Sequence, residues 1–212
     1  MIPNSAWSVT ISMKLNKKGY SMIELLISLA ILSLAMGSIV NLYTNYVDAY
    51  KIEDARSRAQ ETLRSSLNMI TRDIRMSGLD PKDTDNFGIV QASAQSLRFT
   101  ADRDMDGELD QPNVNDGSHE SDMEYMGYVY NGSDRIEQVL YNLDGTEHDR
   151  STLVRYVSDL QLTYFDASGS VTSDLSEIRT VGIQMTIRKP AGDDEIVTRT
   201  LVKRVKCRNL GM

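Results

Sequence analysis

Cysteine is almost absent from this chain, because Cys207 is the only one among 212 residues. An intrachain disulfide is therefore impossible. Histidine is scarce as well, and the two present, His119 and His148, have polar, turn-like neighbours. The sequence contains no zinc-type cluster of cysteine and histidine, no nucleophile elbow and no phosphate-binding loop. We therefore predict that the protein is not an enzyme.

Basic residues are also in short supply, with 23 lysines and arginines against 30 aspartates and glutamates. The imbalance is concentrated between positions 80 and 150, where 17 acidic residues face five basic ones. Nucleic-acid binding requires a concentrated basic face, so we predict no nucleic-acid partner. The local acidity instead indicates a bound cation or a basic partner.

One long apolar segment runs from Tyr20 to Tyr43, and Glu24 is its only charged residue. These 24 residues are enough to cross a bilayer as one helix. Basic residues precede the segment and acidic residues follow it, which predicts a cytoplasmic N-terminus. The basic residues are Lys14, Lys17 and Lys18, and the acidic ones are Asp48, Glu53 and Asp54. A carboxylate just inside such a segment is costly, so Glu24 should have a partner.

The start of this segment, residues 17–26, reads Lys-Lys-Gly-Tyr-Ser-Met-Ile-Glu-Leu-Leu. It resembles the class III signal of type IV pilins and type II secretion pseudopilins. The resemblance implies that prepilin peptidase cuts after Gly19 and that the new N-terminal Tyr20 is N-methylated. It also implies that Glu24 pairs with the N-terminal amine of a neighbouring subunit during assembly. An ordinary signal anchor is the alternative, whereas a secretory signal fits less well because no Ala-x-Ala-like site follows a short apolar core.

Residues 1–19 would form the leader, and translation starting at Met13 would give a compact basic one; a longer leader is the alternative. After the membrane segment 20–43, an apolar stripe with steps of three and four predicts an amphipathic half of the same helix over 44–79. The stripe comprises Ile52, Ala55, Ala59, Leu63, Leu67, Ile70 and Ile74. Gly78, followed by Asp80-Pro81, predicts that the helix ends at Ser77.

Residues 80–212 change to a period of two, which predicts a β-rich head. The predicted strands are residues 96–100, 126–130, 135–141, 160–164, 181–187 and 196–205. Asn131-Gly132 between the second and third of these predicts a hairpin. We therefore expect the α+β class, with an antiparallel sheet packed on the outer half of a long N-terminal helix. This is also the pilin fold that the resemblance implies.

Two further stretches narrow the resemblance. Residues 67–81 are similar to PilW-type minor pilins and to J-type minor pseudopilins, and Arg208-Asn209-Leu210 is similar to the PilW group. Many major pilins have a disulfide in a C-terminal loop, so the single cysteine favours a minor subunit. These features imply a minor pilin with other pilin subunits as partners, placed in the inner membrane before assembly and at the cell surface in a pilus afterwards. A type II secretion pseudopilin and a signal-anchored calcium-binding domain are the alternatives.

An acidic loop carries the second candidate site. Carboxylates alternate before and after Gly107, as in the first half of an EF-hand-like calcium loop. The candidate ligands are Asp102, Asp104, Asp106, Glu108 through its carbonyl, and Asp110. The twelfth position is Asn113 instead of a bidentate glutamate, so Asp116 or Glu120 would have to supply a further ligand. A solvated acidic loop without calcium is the alternative.

Overall fold

A computed structural model describes residues 19–110, 124–192 and 195–211. The chain divides into two compact units, of which the first ends at Val47 and the second begins at Asp48. The single long helix, α1, extends over Met22–Met76 and contains 55 residues. Its bounds confirm the predicted helix to within two residues at the start and one at the end.

Among the described residues of the first unit, 19–47, helix α1 begins at Met22 and is exposed as far as Tyr46. The backbone carbonyl of Ser21 accepts the N–H groups of Glu24 at 3.0 Å and Leu25 at 3.2 Å, which starts the helix. Every residue from Gly19 to Tyr46 is exposed, including all the leucines and isoleucines. By length and composition, α1 is the one described helix that could cross a membrane.

The second unit is built on the buried stripe of α1. The predicted stripe is confirmed, because Ile52 is half-buried and the other six members are at most 6% exposed. At the end of the helix, Gly78 takes a φ of +71° and donates its N–H to the Thr100 carbonyl at 2.9 Å. A positive φ at this position is the usual way in which a helix terminates.

The C-terminal tail covers the same end of α1. The Asn209 side-chain amide donates to the backbone carbonyls of Arg75 at 3.3 Å and Met76 at 3.5 Å. The last carbonyls of a helix have no partner within the helix, so this amide acts as a cap. A side chain at Gly78 would collide with Leu210. Contact with the tail therefore leaves room only for a glycine at position 78.

Eight strands form the rest of the second unit. They are β1 Ile89–Ala92, β2 Ser96–Thr100, β3 Tyr125–Tyr130, β4 Arg135–Tyr141, β5 Glu147–Arg155, β6 Val157–Phe165, β7 Thr180–Pro190 and β8 Ile196–Lys206. A 3₁₀ turn at Leu175–Glu177 precedes β7. The α+β class is confirmed, but the strands form two antiparallel sheets where we predicted one, in the orders β1-β2-β3-β4-β5 and β6-β7-β8.

The chain passes from one sheet to the other at Tyr156, which has a φ of +64°. The two sheets meet where β6 passes the turn between β1 and β2. There the Leu162 N–H donates to the Ala94 carbonyl at 2.8 Å, and the Tyr164 hydroxyl donates to the Ser93 carbonyl at 2.8 Å. Both sheets contribute apolar side chains to one core with the α1 stripe.

The predicted hairpin between β3 and β4 is present, with a longer turn than the Asn131-Gly132 pair requires. The loop contains four residues, because the Asn131 side-chain oxygen accepts the backbone N–H groups of Ser133, Asp134 and Arg135 at 3.0–3.1 Å. An asparagine that accepts its own downstream amides is a recurrent turn device. Gly132 supplies the left-handed conformation, with a φ of +79°.

Candidate functional site

The predicted cleavage point lies immediately before α1. Gly19 and Tyr20 are outside the helix, and Tyr20 is 85% exposed. A Cβ added at Gly19 would meet no heavy atom within 4 Å. The peptide bond between these residues is therefore accessible from outside the chain. The basic residues of the leader, Lys14, Lys17 and Lys18, lie outside the described residues.

Glu24 lies in the first turn of α1, where the positive end of the helix dipole favours a negative charge. Its backbone carbonyl accepts the Ser28 hydroxyl at 2.8 Å. Within the described residues, its exposed carboxylate has no ion-pair partner within 4.0 Å. The carboxylate is thus accessible at the surface of the helix.

The acidic loop is organised around Asp102, which is fully buried. Its carboxylate accepts the backbone N–H of Met105 at 2.6 Å and of Gly107 at 3.0 Å. Asp104 and Asp106 accept N–H groups two residues further along the chain. One carboxylate oxygen from each of the three aspartates lies within 4.8 Å of the others. The structure therefore brings together the first three predicted ligands.

The side-chain carboxylates of Glu108 and Asp110 are not in this group of three. Glu108 is exposed, and Asp110 is half-buried with its N–H donated to Glu124 at 3.0 Å. Asn113 and the two proposed further ligands, Asp116 and Glu120, lie outside the described residues.

Sequence reasoning missed Glu124, which ties the two ends of the loop together. Its carboxylate accepts the N–H of Arg103 at 2.7 Å and that of Asp110 at 3.0 Å, and the residue is 1% exposed. Burial raises the pKa of the Glu124 carboxyl, and the two backbone N–H groups oppose that rise. In the sequence Glu124 is one acid among several, so no pattern distinguishes it.

Two cations also hold the loop. The Lys82 ammonium donates to the Asp106 carbonyl. The Arg103 guanidinium lies 3.4 Å from the buried Asp73 carboxylate of α1, which also accepts the Tyr128 hydroxyl. The loop is therefore shaped by protein groups, and its described conformation does not require a metal ion to explain it.

The three clustered aspartates nevertheless offer the chemistry that a hard cation prefers. Carboxylate oxygens are the ligands of Ca²⁺, and an ionised carboxylate has about four lone-pair sites. Asp102 uses one N–H per oxygen, so each oxygen can accept a second interaction. The cluster fits part of a calcium coordination sphere.

An exposed apolar helix begins next to a prepilin-like junction, and antiparallel sheets pack on the later part of that helix. These two features together define a type IV pilin-like protein. Residues 14–40 match the prokaryotic N-terminal methylation motif. Residues 53–207 match the family described as prepilin peptidase-dependent protein B. The chain belongs to this family, within the type IV pilin and pseudopilin superfamily.

A solved structure confirms the fold. The type IV-like pilin TTHA1219 from Thermus thermophilus matches with a TM-score of 0.50 and 10% identity, over 73% of this chain and 99% of the pilin. At this identity the likeness concerns the fold alone. No curated protein matches the chain. The predicted pilin fold and superfamily are therefore both confirmed.

The geometry of the acidic loop predicts that Asp102 stabilises the head without calcium. Asp102→Asn leaves one side-chain oxygen for the backbone N–H groups of Met105 and Gly107, of which the second is buried, so we expect the free energy of unfolding to fall by about 1–3 kcal/mol. Denaturation of the full chain in detergent micelles with a calcium chelator, followed by circular dichroism, measures this change.

The matched control is Asp106→Asn. Asp106 is exposed, and an asparagine keeps the oxygen that accepts the Glu108 N–H at 2.7 Å. We expect its effect to stay below about 0.5 kcal/mol. Equal losses in the two variants would show that Asp102 does not organise the loop.

Proposed function

We propose that this protein is a minor pilin, a structural subunit that primes a type IV pilus or is incorporated into it. Prepilin peptidase would cut between Gly19 and Tyr20, and Tyr20 would then be N-methylated. The observation that carries the proposal is the methylation motif at residues 14–40, placed at an accessible junction before an exposed apolar helix. The matching family is itself named for dependence on prepilin peptidase.

Segment 20–43 would hold the uncut protein in the inner membrane with its N-terminus in the cytoplasm. The flanking charges support this orientation, since lysines precede the segment and acids follow it. After cleavage, the same apolar surface would pack against other pilin subunits, and the assembled protein would reach the cell surface. The exposed apolar side chains of the first unit support such a partner-dependent role, because isolated patches of this size mark interaction surfaces.

The minor-pilin assignment is supported by the two PilW-like stretches. They are distant in sequence but meet in the structure, where Asn209 caps the carbonyls of Arg75 and Met76 and Leu210 packs at Gly78. The similarity therefore covers one contact region of the head. A minor pseudopilin of a type II secretion system remains the second candidate, because residues 67–81 are similar to that group too.

Gene deletion distinguishes the two candidates. For a minor pilin, we expect loss of pili and of surface motility while enzyme secretion continues. Wild-type protein should restore pili, and its mass should be that of a chain beginning with N-methyl-Tyr20. Gly19→Leu should keep its leader and fail to restore pili, because a bulky residue replaces the small one at the cleavage point.

Normal pili with lost enzyme secretion would assign the protein to the secretion system. An intact leader on the wild-type protein extracted from membranes would contradict processing at Gly19 in either system. If deletion leaves both pili and enzyme secretion intact, the third candidate, a signal-anchored calcium-binding domain, would be favoured.

We further propose that the Glu24 carboxylate pairs with the N-terminal amine of a neighbouring subunit. A half-made ion pair in an apolar surrounding is costly, so the completed pair would fix the axial register of subunits. Glu24→Ala should insert and be cleaved normally, yet fail to co-purify with its pilin partners. Glu24→Asp, with its shorter reach, should give an intermediate yield.

The matched control is Glu24→Gln, which keeps the size of the side chain and removes its charge. We expect it to behave like Glu24→Ala when partner pilins are quantified by immunoblot after affinity purification. Wild-type co-purification of both uncharged variants would show that the carboxylate has no role in assembly.

We also propose a calcium ion held by Asp102, Asp104 and Asp106, with Glu108 and Asp110 as further oxygen donors. The clustering of the first three carboxylates supports this proposal. Millimolar calcium should raise the melting temperature of the full chain in detergent micelles, and tenfold excess over Kd corresponds to about 1.4 kcal/mol.

Asp104→Asn should remove most of this calcium-induced rise, since it takes a charged ligand from the cluster. Equal concentrations of magnesium chloride control for ionic strength. An unchanged melting temperature, together with no heat of binding by calorimetry, would leave the loop as an acidic turn without a metal.

A further inference from the structure

A cleft of about 300 Å³, lined by Arg98 among others, lies on the five-stranded sheet. Leu97 and Phe99 of β2 belong to the core with the α1 stripe. Alternate side chains of a strand point to opposite faces, so Arg98 lies on the face that points away from that core. Its partners in register form a row across all five strands, which comprises Gln91, Arg98, Gly127, Val139 and Arg150.

Gly127, in the middle of this row, leaves room for an aromatic ring. A Cβ at Gly127 would come 2.6 Å from the Leu97 carbonyl oxygen and 3.2 Å from the ring of Tyr141. The Tyr141 ring packs beside that of Tyr125, with 5.3 Å between their centroids. The Arg98 guanidinium lies over the Tyr141 ring, 3.7 Å from its centroid. Stacking on a buried ring fixes the plane of the guanidinium.

The hydrogen-bond partners of the Arg98 guanidinium are uncharged. Its Nη1 donates to the Tyr125 hydroxyl at 3.4 Å and to the Gly145 carbonyl at 3.2 Å. Its Nε is buried and has no hydrogen-bond partner among the described residues. In that part of the chain no carboxylate lies within 4.0 Å of the guanidinium. Arg98 is therefore a fixed, half-buried cation without an ion-pair partner in the described head.

The second arginine of the cleft, Arg150, is fully engaged. Its Nη1 donates to Glu137 at 2.7 Å, and its Nε and Nη2 donate to the two carboxylate oxygens of Glu147 at 2.7 Å and 2.6 Å. Glu147 lines the cleft, but both of its oxygens are directed to Arg150. Arg98 is thus the arginine of the cleft that can receive an anion.

The charges of the cleft favour an anion with a single negative charge. Glu147 lies in the same cleft as Arg98 and repels further negative charge. A carboxylate carries one charge and matches the planar fork of a guanidinium, whereas a phosphate monoester carries close to two charges. A carboxylate is therefore the anion that fits best beside Arg98.

The other polar groups of the cleft favour hydroxyl groups on the same ligand. The side chain of Gln91 is exposed and makes no hydrogen bond among the described residues. Each Glu147 oxygen accepts one N–H and has capacity for a second donor. Small-molecule sites usually enclose about 300–1,000 Å³, so this cleft has room for one ring-sized molecule.

We propose that this cleft binds a sugar acid, with the carboxylate on Arg98 and the hydroxyl groups on Gln91 and Glu147. The same chemistry is offered by a free uronic acid and by a uronate residue of a polysaccharide. The inference concerns the head alone and does not depend on whether the protein serves a pilus or a secretion system.

Titration with sodium D-galacturonate tests the site by NMR on the ¹⁵N-labelled full chain in detergent micelles. We expect the Nε–H signal of Arg98 and the amide signals of Gly145 and Glu147 to shift and saturate. A Kd of about 1 mM is expected for one sugar ring. No saturable shift at these positions would overturn the proposal.

D-Galactose is the matched ligand control, because a hydroxymethyl group replaces the carboxylate on the same ring. It should bind at least about tenfold more weakly, since the charged hydrogen bonds to Arg98 are lost. Equal binding of galactose, equal binding of acetate, or preferential binding of inorganic phosphate would each overturn the assignment to a sugar acid.

Substitutions test the role of Arg98. Arg98→Gln should weaken galacturonate binding at least about tenfold, and Arg98→Lys should be intermediate, because it keeps the charge without the planar fork. Arg188→Gln, at an exposed position of β7 in the other sheet, should bind as wild type does. Wild-type affinity in Arg98→Gln, or an equal loss in Arg188→Gln, would contradict the proposed site.

Gln91→Ala provides a test that does not disturb the stacked arginine. Gln91 is exposed, so the variant should fold as wild type does by circular dichroism and bind galacturonate a few-fold more weakly. Unchanged affinity in this variant would remove Gln91 from the site and overturn the proposed orientation of the ligand.

The linear trimer of galacturonate distinguishes the two sources of the ligand. Binding more than about threefold tighter than the monomer exceeds the statistical gain from three rings and assigns the site to a polysaccharide. Binding within that factor assigns it to a free sugar acid. Failure of the trimer to bind, where the monomer binds, would overturn the polysaccharide source.

Discussion

Burial of one stripe of α1 underlies the structure of the head, because both sheets direct apolar side chains against it. The stripe from Ala55 to Ile74 joins residues of all the longer strands in a single core. Each sheet has one apolar face, and such a face must be buried against a second layer. The α1 stripe contributes to that layer for both sheets. A substitution in this stripe would therefore disturb both sheets together.

One charged residue interrupts that apolar surface. Asp73 is 1% exposed, and its carboxylate is satisfied by the Tyr128 hydroxyl of β3 and the Arg103 guanidinium of the acidic loop. Burial, with the neighbouring carboxylate, raises the pKa of Tyr128 well above its ordinary range, so the phenol remains a donor. A buried charge with specific partners fixes how elements pack more than it adds to stability. Asp73 thus sets the position of the acidic loop relative to the end of α1.

The features predicted from sequence are those with strong local periodicity. The helix stripe, the Gly78 terminus and strands β2 and β4 all follow from regular apolar spacing or from a glycine with a left-handed conformation. β5 was not predicted, because its first residues are exposed on both faces and so lack a period of two. The break into two sheets depends on the backbone conformation of Tyr156, which no residue pattern signals.

The candidate-site residues likewise differ in whether a sequence motif is enough to identify them. Gly19, Tyr20 and Glu24 are contiguous in sequence, so a motif suffices to find them, and Asp102, Asp104 and Asp106 cluster because they share one loop. Glu124 lies outside that motif and reaches the loop only through the start of β3. Its role depends on tertiary contact, which spacing along the chain cannot reveal.

The burial of Cys207 has a consequence for redox chemistry. The thiol is 1% exposed, and burial raises its pKa, so little thiolate is present and oxidants cannot reach the sulfur. In an oxidising compartment, an accessible single cysteine would join copies covalently at random. Here the sulfur becomes reactive only when the tail that begins at Cys207, directly after β8, separates from the end of α1. The rate at which a thiol reagent modifies Cys207 would therefore report how often that part of the head opens.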